Sequence, residues 1–255
     1  MTHGSLFAGI GGFDLGFERA GITTVWQVEI DDYCRKVLAR HFPAAKRFSD
    51  IRECGARNLP AVDVLSGGFP CQDISNAGKR AGIDGERSGL WSEYARIICE
   101  IRPRYVVVEN VAALLGRGME RVLGDLAACG YDAEWDCFPA SSFGAYHERD
   151  RIIIVAHRAR VDGRPYDLLE AGADGRSSLQ SRRLLSMAMA ARGQRENARL
   201  RYEPELDRLV RRVPGAVDRL RGLGNAIVPQ IAEWIARRII DADALRLRKA
   251  SDGHD

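Results

Sequence analysis

A thiol follows two glycines and a proline in Gly67-Gly68-Phe69-Pro70-Cys71-Gln72, directly after the apolar run Val62–Leu65. Glycines permit a tight turn and proline stiffens it. The spacing therefore predicts a cysteine held at the mouth of a sheet, where it can meet a ligand. The competing reading of Cys71 is a small buried hydrophobe, the usual state of a free cysteine. Glu109 closes a second apolar run, Tyr105–Val108. Burial there pushes a carboxyl's pKa up, so Glu109 could offer a proton or hydrogen bond to a substrate nitrogen; a surface glutamate at a strand end is the plain alternative. Arg149 and Arg151 lie two apart, on one side of an extended segment. They could hold an oxygen or phosphate and orient Glu109, or pair with Glu148 and Asp150.

A second set of residues points to a ligand with a nucleoside part. Phe7-Ala8-Gly9-Ile10-Gly11-Gly12 is a glycine loop after a very short apolar start, and Glu29 closes the next predicted strand. That is roughly the interval at which an acid binds a ribose hydroxyl. The loop lacks the lysine and hydroxyl of a P-loop, which disfavours a nucleoside triphosphate. Gly224-Asn225-Ala226 opens the last predicted helix, whose free N–H groups could meet a carboxylate.

These residues need a frame. Helical stretches are expected at Phe13–Ala20, from Asp31 or Asp32 with Cys34, Val37, Leu38 and His41 on one face, at Leu90–Ile101, at Met119–Cys129, and from Pro229 through Arg238 or beyond. Strands are expected at Ile22–Ile30, Ala61–Ser66, Tyr105–Val111, Glu134–Phe138 and Arg151–Ala156. Tyr105–Val111 is almost wholly apolar, as at the centre of a parallel sheet. The alternation predicts an α/β fold with a doubly wound, mostly parallel sheet, and its ligands at the C-terminal strand ends. Residues 158–212 break the pattern with thirteen arginines against eight acids. They read as a small, loop-rich insert with a charge excess suited to a phosphate backbone, or else as a solvated linker. Within it only Leu184–Ala191 looks helical, and the tail Lys249–Asp255 reads as frayed.

Composition bounds the class. At 255 residues with 45% hydrophobic content, the chain can bury one large core. No apolar run approaches a membrane span, and the N-terminus lacks a signal pattern, so a cytoplasmic protein without a membrane partner is expected. The six cysteines show no CxxC spacing, which argues against a metal site and against a disulfide framework. Lysine occurs only at 36, 46, 79 and 249. Arginine therefore supplies nearly all the positive charge, a weak hint of phosphate or guanine contact.

In their order, these segments resemble the C5-cytosine DNA methyltransferase family over most of the chain. Phe7–Gly12 resembles its first S-adenosylmethionine motif, Glu29 its ribose ligand and Asp50-Ile51 its adenine-contacting pair. Phe69-Pro70-Cys71-Gln72 resembles the nucleophile motif, Glu109-Asn110-Val111 the motif of the acid, and Arg149-x-Arg151 the paired arginines. Leu223–Gln230 resembles the last motif, returning to the cofactor.

The resemblance implies a fold of the S-adenosylmethionine-dependent methyltransferase type and a cysteine adduct at C6 of a flipped-out cytosine in double-stranded DNA. Cys71, Glu109, Arg149 and Arg151 would be catalytic. Phe7, Gly9, Gly11, Gly12, Glu29, Asp50, Ile51, Pro70, Leu90 and Asn225 would bind cofactor, and no metal is called for. It divides the chain into a catalytic and cofactor-binding domain (1–157), a short target-recognition-like region (158–213) and a C-terminal segment returning to the catalytic domain (214–255). The Gly78–Ser88 loop would close over the base. Ser5 stands where the family usually has an acid, Tyr146-His147 replaces its Pro-Gln, and the recognition region is short, so specificity could be relaxed or borrowed from a partner. A cognate restriction enzyme is a further possible partner, and the protein would be bacterial or phage-encoded in a bacterial cell. A tRNA-methylating branch, a non-catalytic DNA-binding relative and a nicotinamide dehydrogenase are the alternatives; the last leaves Pro70-Cys71-Gln72 and Glu109-Asn110-Val111 unexplained.

Overall fold

Apolar strands buried on both faces need helices above and below them, and the computed structural model supplies both layers. It describes residues 1–70, 90–143, 150–158, 218, 222, 223 and 225–251, with side chains to 245. The strands are β1 (Thr2–Leu6), β2 (Thr23–Val28), β3 (Lys46–Phe48), β4 (Val64–Gly67), β5 (Tyr105–Val111), β6 (Tyr131–Pro139) and β7 (Asp150–Arg158). They form one sheet in the order β3-β2-β1-β4-β5-β7-β6. Pairing is parallel from β3 to β5 and antiparallel where β7 meets β5 and β6.

β5 is therefore the seam between the two pairing modes rather than the centre of a parallel sheet. Because β7 runs backwards, its first residues reach the sheet end where the parallel strands finish, and Arg151 lies opposite Val111. Alternation within β5 and β7 feeds two cores. Val106, Val108, Ile152 and Ile154 pack with Trp26, Trp91 and Tyr94 on one face. Tyr105, Val107, Ile153 and Val155 pack with Phe17, Ile231 and Ile235 on the other.

The helices are α1 (Gly12–Arg19), α2 (Asp32–His41), α3 (Leu90–Ile101), α4 (Met119–Ala128) and α5 (Pro229–Ser251). Asp31 caps α2, its side chain accepting from the Cys34 N–H at 3.0 Å. On α2, Cys34 and Leu38 are buried but His41 is exposed. α5 starts at Pro229 as expected and continues through Ser251, so Lys249–Ser251 is helical rather than frayed. β3 has no counterpart among the expected strands, because three residues on a sheet edge carry too little alternation to read. The expected Leu184–Ala191 helix, the Gly78–Ser88 loop and the 158–213 region lie outside the described residues. Among the described residues no helix is long and apolar enough to cross a membrane.

The expectation of unpaired, reduced cysteines fails at one place. Cys99 near the end of α3 and Cys129 just after α4 form a disulfide, with 5.4 Å between their Cα atoms. Neither spacing nor composition signals it, because the pairing depends on how two helices separated by β5 come to lie side by side.

Between α1 and the sheet lies a buried polar layer. His3 is hydrogen-bonded to Thr24 (3.0 Å) and Ser66 (2.7 Å), bridging β2, β1 and β4. Asp14 of α1 accepts from Ser5 (3.2 Å) and Gln27 (2.9 Å). Burial lowers the His3 pKa to about 3 and raises that of Asp14 to about 6. The two linkages have opposite signs. Stability held by neutral His3 is lost as pH falls from its unfolded value of 6.5 towards 3. Stability held by protonated Asp14 is full below 3.8 and lost as pH rises through 6. Between pH 6 and 4 they offset. Asp14→Asn should then lose stability on acidification more steeply than the wild type, by about 1 kcal/mol per pH unit. Urea unfolding at fixed pH values reads this directly, and parallel slopes for the two proteins would refute it.

Candidate functional site

Every parallel strand delivers a piece of the site to the same end of the sheet. After β1 the chain enters the glycine loop with Phe7 at φ 51°, Gly9 at φ 57° and Gly11 at φ 90°. A left-handed phenylalanine is uncommon and marks a constrained turn. After β2 comes Glu29, whose Oε2 accepts from the Gly9 N–H (2.7 Å) and whose Oε1 accepts from the Asp31 N–H (2.8 Å). Burial raises its pKa, and those two N–H groups offset only part of the rise. The carboxylate thus ties the glycine loop to the start of α2 and still has lone pairs for a ligand hydroxyl.

Beyond β3, Asp50 caps the 3-10 turn Ile51–Glu53, accepting from the Arg52 N–H at 3.0 Å. β4 ends in Gly67, and Phe69 next packs on Trp91 of α3 with ring centroids 5.2 Å apart. Cys71 itself lies outside the described residues, as do Arg149, Tyr146 and His147. The described chain reaches Pro70, immediately before the thiol, and Pro70 lines the cleft described below.

Glu109 lies within β5 and is 7% exposed. Its Oε1 stands 2.7 Å from Nε of Arg151, which enters from β7. Of the two readings open to Arg151, orienting Glu109 is the one this geometry matches. Gly68 makes room for the acid: a Cβ at that position would come within 2.6 Å of Glu109 Oε2. Asn110 is buried and donates from Nδ2 to the Phe69 carbonyl at 3.2 Å. That bond fastens β5 to the turn leading towards Cys71.

These groups share one cleft of about 740 Å³, inside the range of roughly 300–1,000 Å³ typical of small-molecule and cofactor sites. Phe7, Gly9, Gly12, Glu29, Asp50, Ile51, Pro70, Leu90, Glu109, Arg151 and Asn225 all line it. Gly11 does not line it; it is the N-cap of α1 and faces Leu38 and Phe42 instead. The cleft also takes in Phe13, Asp218 and Ile227. Ile227 falls within the Leu223–Gln230 segment that the sequence marks, whereas Phe13 and Asp218 are not marked as site residues, because they reach the cleft only through the placing of α1 and the C-terminal segment. Ser5, which departs from the expected acid, is hydrogen-bonded to the Asp14 carboxyl instead.

Several known proteins share this chain's sequence or fold. The Type II methyltransferase M2.BsuMI of Bacillus subtilis is 39% identical over 160 residues, 60% of this chain and 41% of that protein. The Type II methyltransferase M.NgoFVII of Neisseria gonorrhoeae is 32% identical over 160 residues, 60% of this chain and 43% of that protein. The chain thus spans about two-fifths of the length of these curated relatives. Among solved structures, a candidate DNA modification methyltransferase encoded within an E. coli prophage superposes with a TM-score of 0.55 at 24% identity, covering 66% of this chain and 49% of that one. That likeness concerns the fold. The sequence profile of the C-5 cytosine-specific DNA methylases matches residues 1–188, and the chain belongs to that family.

Proposed function

We propose that this protein transfers a methyl group from S-adenosylmethionine to C5 of a cytosine flipped out of double-stranded DNA, through a Cys71 adduct at C6. The observation that carries the reading is the single cleft. It joins a nucleoside cradle of glycine loop, Glu29 and Asp50 to the Glu109–Arg151 pair and to Pro70, the residue before the thiol. The cradle suits the cofactor. Glu29 offers lone pairs to a ribose, and Asp50 has used only Oδ1 on its own turn. At Gly9, neighbours in the chain aside, no atom of the described residues lies within 4 Å of where a Cβ would stand, so the cleft floor is open to them there.

Cytosine C5 is a poor nucleophile until a thiolate adds at C6. In this reading Cys71 forms that bond while Glu109 hydrogen-bonds N3 and the exocyclic amine, absorbing the developing charge. Arg151 holds the O2 side and fixes the Glu109 carboxyl. S-adenosylmethionine would supply an electrophilic methyl to the activated C5, its S–methyl bond breaking to leave S-adenosylhomocysteine. Loss of the C5 proton to a base then expels the Cys71 thiolate and leaves 5-methylcytosine. Extruding the base costs roughly a few kcal/mol. The arginine-rich stretch 158–213 would repay part of that by phosphate contact and serve as a short target-recognition region, with 214–255 completing the cofactor site. The setting would be the cytoplasm of a bacterial cell, the protein being bacterial or phage-encoded, alongside a restriction enzyme or specificity partner.

The test is incubation with labelled S-adenosylmethionine and duplex DNA, beside Cys71→Ser, followed by sequencing for 5-methylcytosine. Methylation by the wild type and none by the variant is expected. Equal methylation by both would remove Cys71 from the mechanism, and label entering only RNA would remove DNA as the substrate.

A further inference from the structure

The wall formed by Asp50 and Ile51 has a weak foundation in the sheet. It follows β3, a three-residue strand at the edge of the sheet that, among the described residues, pairs with β2 alone. Its 3-10 turn is closed by the Cys54 N–H donating to the Ile51 carbonyl at 3.1 Å, and that carbonyl's second lone pair and the Cys54 carbonyl still take donors, as at helix C-termini. Arg96 of α3 meets both needs. Its Nη2 donates to the Ile51 carbonyl at 3.1 Å and to the Cys54 carbonyl at 2.9 Å.

The guanidinium is itself held from two sides. Nε and Nη2 bond Glu93 Oε2 at 2.9 and 2.7 Å, and Nη1 bonds Glu100 Oε1 at 2.9 Å. Glu100 turns its other oxygen to the Ala56 N–H at 3.0 Å, adding a second link from α3 to the same segment. The fit is close. A Cβ at Gly55 would stand 2.4 Å from Glu100 Oε2 and 3.2 Å from Arg96 Nη1. Since α3 also supplies Leu90 to the cleft, the clamp fixes the distance between two walls of one pocket.

We infer that Arg96 is a positioning residue for cofactor binding, holding the turn that presents Asp50 and Ile51 to the adenine. This rests on the proposed reading of the cleft as an S-adenosylmethionine site. Removing a planar, multiply bonded guanidinium releases several charge-assisted bonds. Arg96→Ala should weaken S-adenosylhomocysteine binding by about tenfold or more. It should likewise raise KM for S-adenosylmethionine, leaving kcat at saturation and the DNA affinity unchanged. Arg96→Lys should recover part of the affinity. Gly55→Ala, which displaces the clamp with every charge in place, should weaken binding in the same direction. Arg237→Ala, which breaks only a surface pair with Glu233, is the control.

Calorimetry with S-adenosylhomocysteine on the full chain decides the matter, with Asp50→Ala in parallel. Loss of affinity in Arg96→Ala and Gly55→Ala, with circular dichroism like the wild type, is the expected result. Affinity unchanged in both, or a fall in kcat at constant KM, overturns the inference while the reading of the cleft stands. Failure of the wild type to bind, or indifference to Asp50→Ala, overturns that reading and the inference with it. Should Arg96→Ala fail to fold, Gly55→Ala and Arg96→Lys decide alone.

Discussion

Glu109→Gln is expected to lower methyl transfer by about two to four orders of magnitude, the range of a lost proton-donating group, with cofactor affinity unchanged. The substitution keeps the shape of the side chain and removes its capacity to be either a carboxylate or a proton-donating acid. The cofactor cradle would not feel it, because Glu29 and Asp50 are fixed by their own backbone contacts. Arg151 would lose its counter-charge 2.7 Å away, so a modest fall in stability should accompany the loss of rate. Gly68→Ala tests the same point by geometry. Its Cβ would stand 2.6 Å from Glu109 Oε2, too close to be tolerated without moving the acid, and activity should fall with every charge retained. Single-turnover methylation with prebound cofactor measures both variants. Near-wild-type rates for Glu109→Gln would transfer the proton-donating role to another group.

The same cleft shows what a sequence can and cannot express. Glu109, Asn110, the glycine loop and Glu29 are legible because each ends an apolar run, and strand ends in an open α/β sheet face one side. α3 and β5 are legible to the residue, since Leu90–Ile101 keeps a helical stripe and Tyr105–Val111 an unbroken apolar run. β3 is not, being a short edge strand that reads Lys-Arg-Phe. The role of Gly68 is not local, because the carboxylate standing where its side chain would be comes from β5, some forty residues on. Asp14 reads as an ordinary acid in the first turn of α1, but it is completely buried against Ser5 and Gln27. Arg96 with Glu93 and Glu100 reads as a solvated i, i+3 and i, i+4 cluster. Its contacts with Ile51 and Cys54 cross more than forty residues and leave no local trace.

Arg104→Ala should destabilise the protein by about 3 kcal/mol, the lower end of the range for breaking a buried pair on one side. Arg104 stands just before β5, at the sheet end opposite the cleft, and grips two carboxylates. Both Asp243 oxygens accept from Nη1, at 2.7 and 2.8 Å, and Asp63 accepts from Nη2 at 2.8 Å. Asp63 in turn accepts from the Thr2 N–H at 2.7 Å, so β1, β4, β5 and α5 meet at this guanidinium. The Asp243 side chain is 8% exposed, against 28% for Arg104. The penalty arises chiefly from leaving that carboxylate buried with, among the described residues, the Tyr105 hydroxyl 3.4 Å away. If so, the charge rather than the lost contact area is at fault, and Arg104→Met combined with Asp243→Leu should restore most of the stability. For a chain of this size 3 kcal/mol corresponds to a fall in Tm of roughly 6–12 °C. Calorimetric scans of the single and double variants separate the two explanations. A double variant no more stable than Arg104→Ala would mean that the paired geometry, not relief of a stranded charge, secures the C-terminal helix to the sheet.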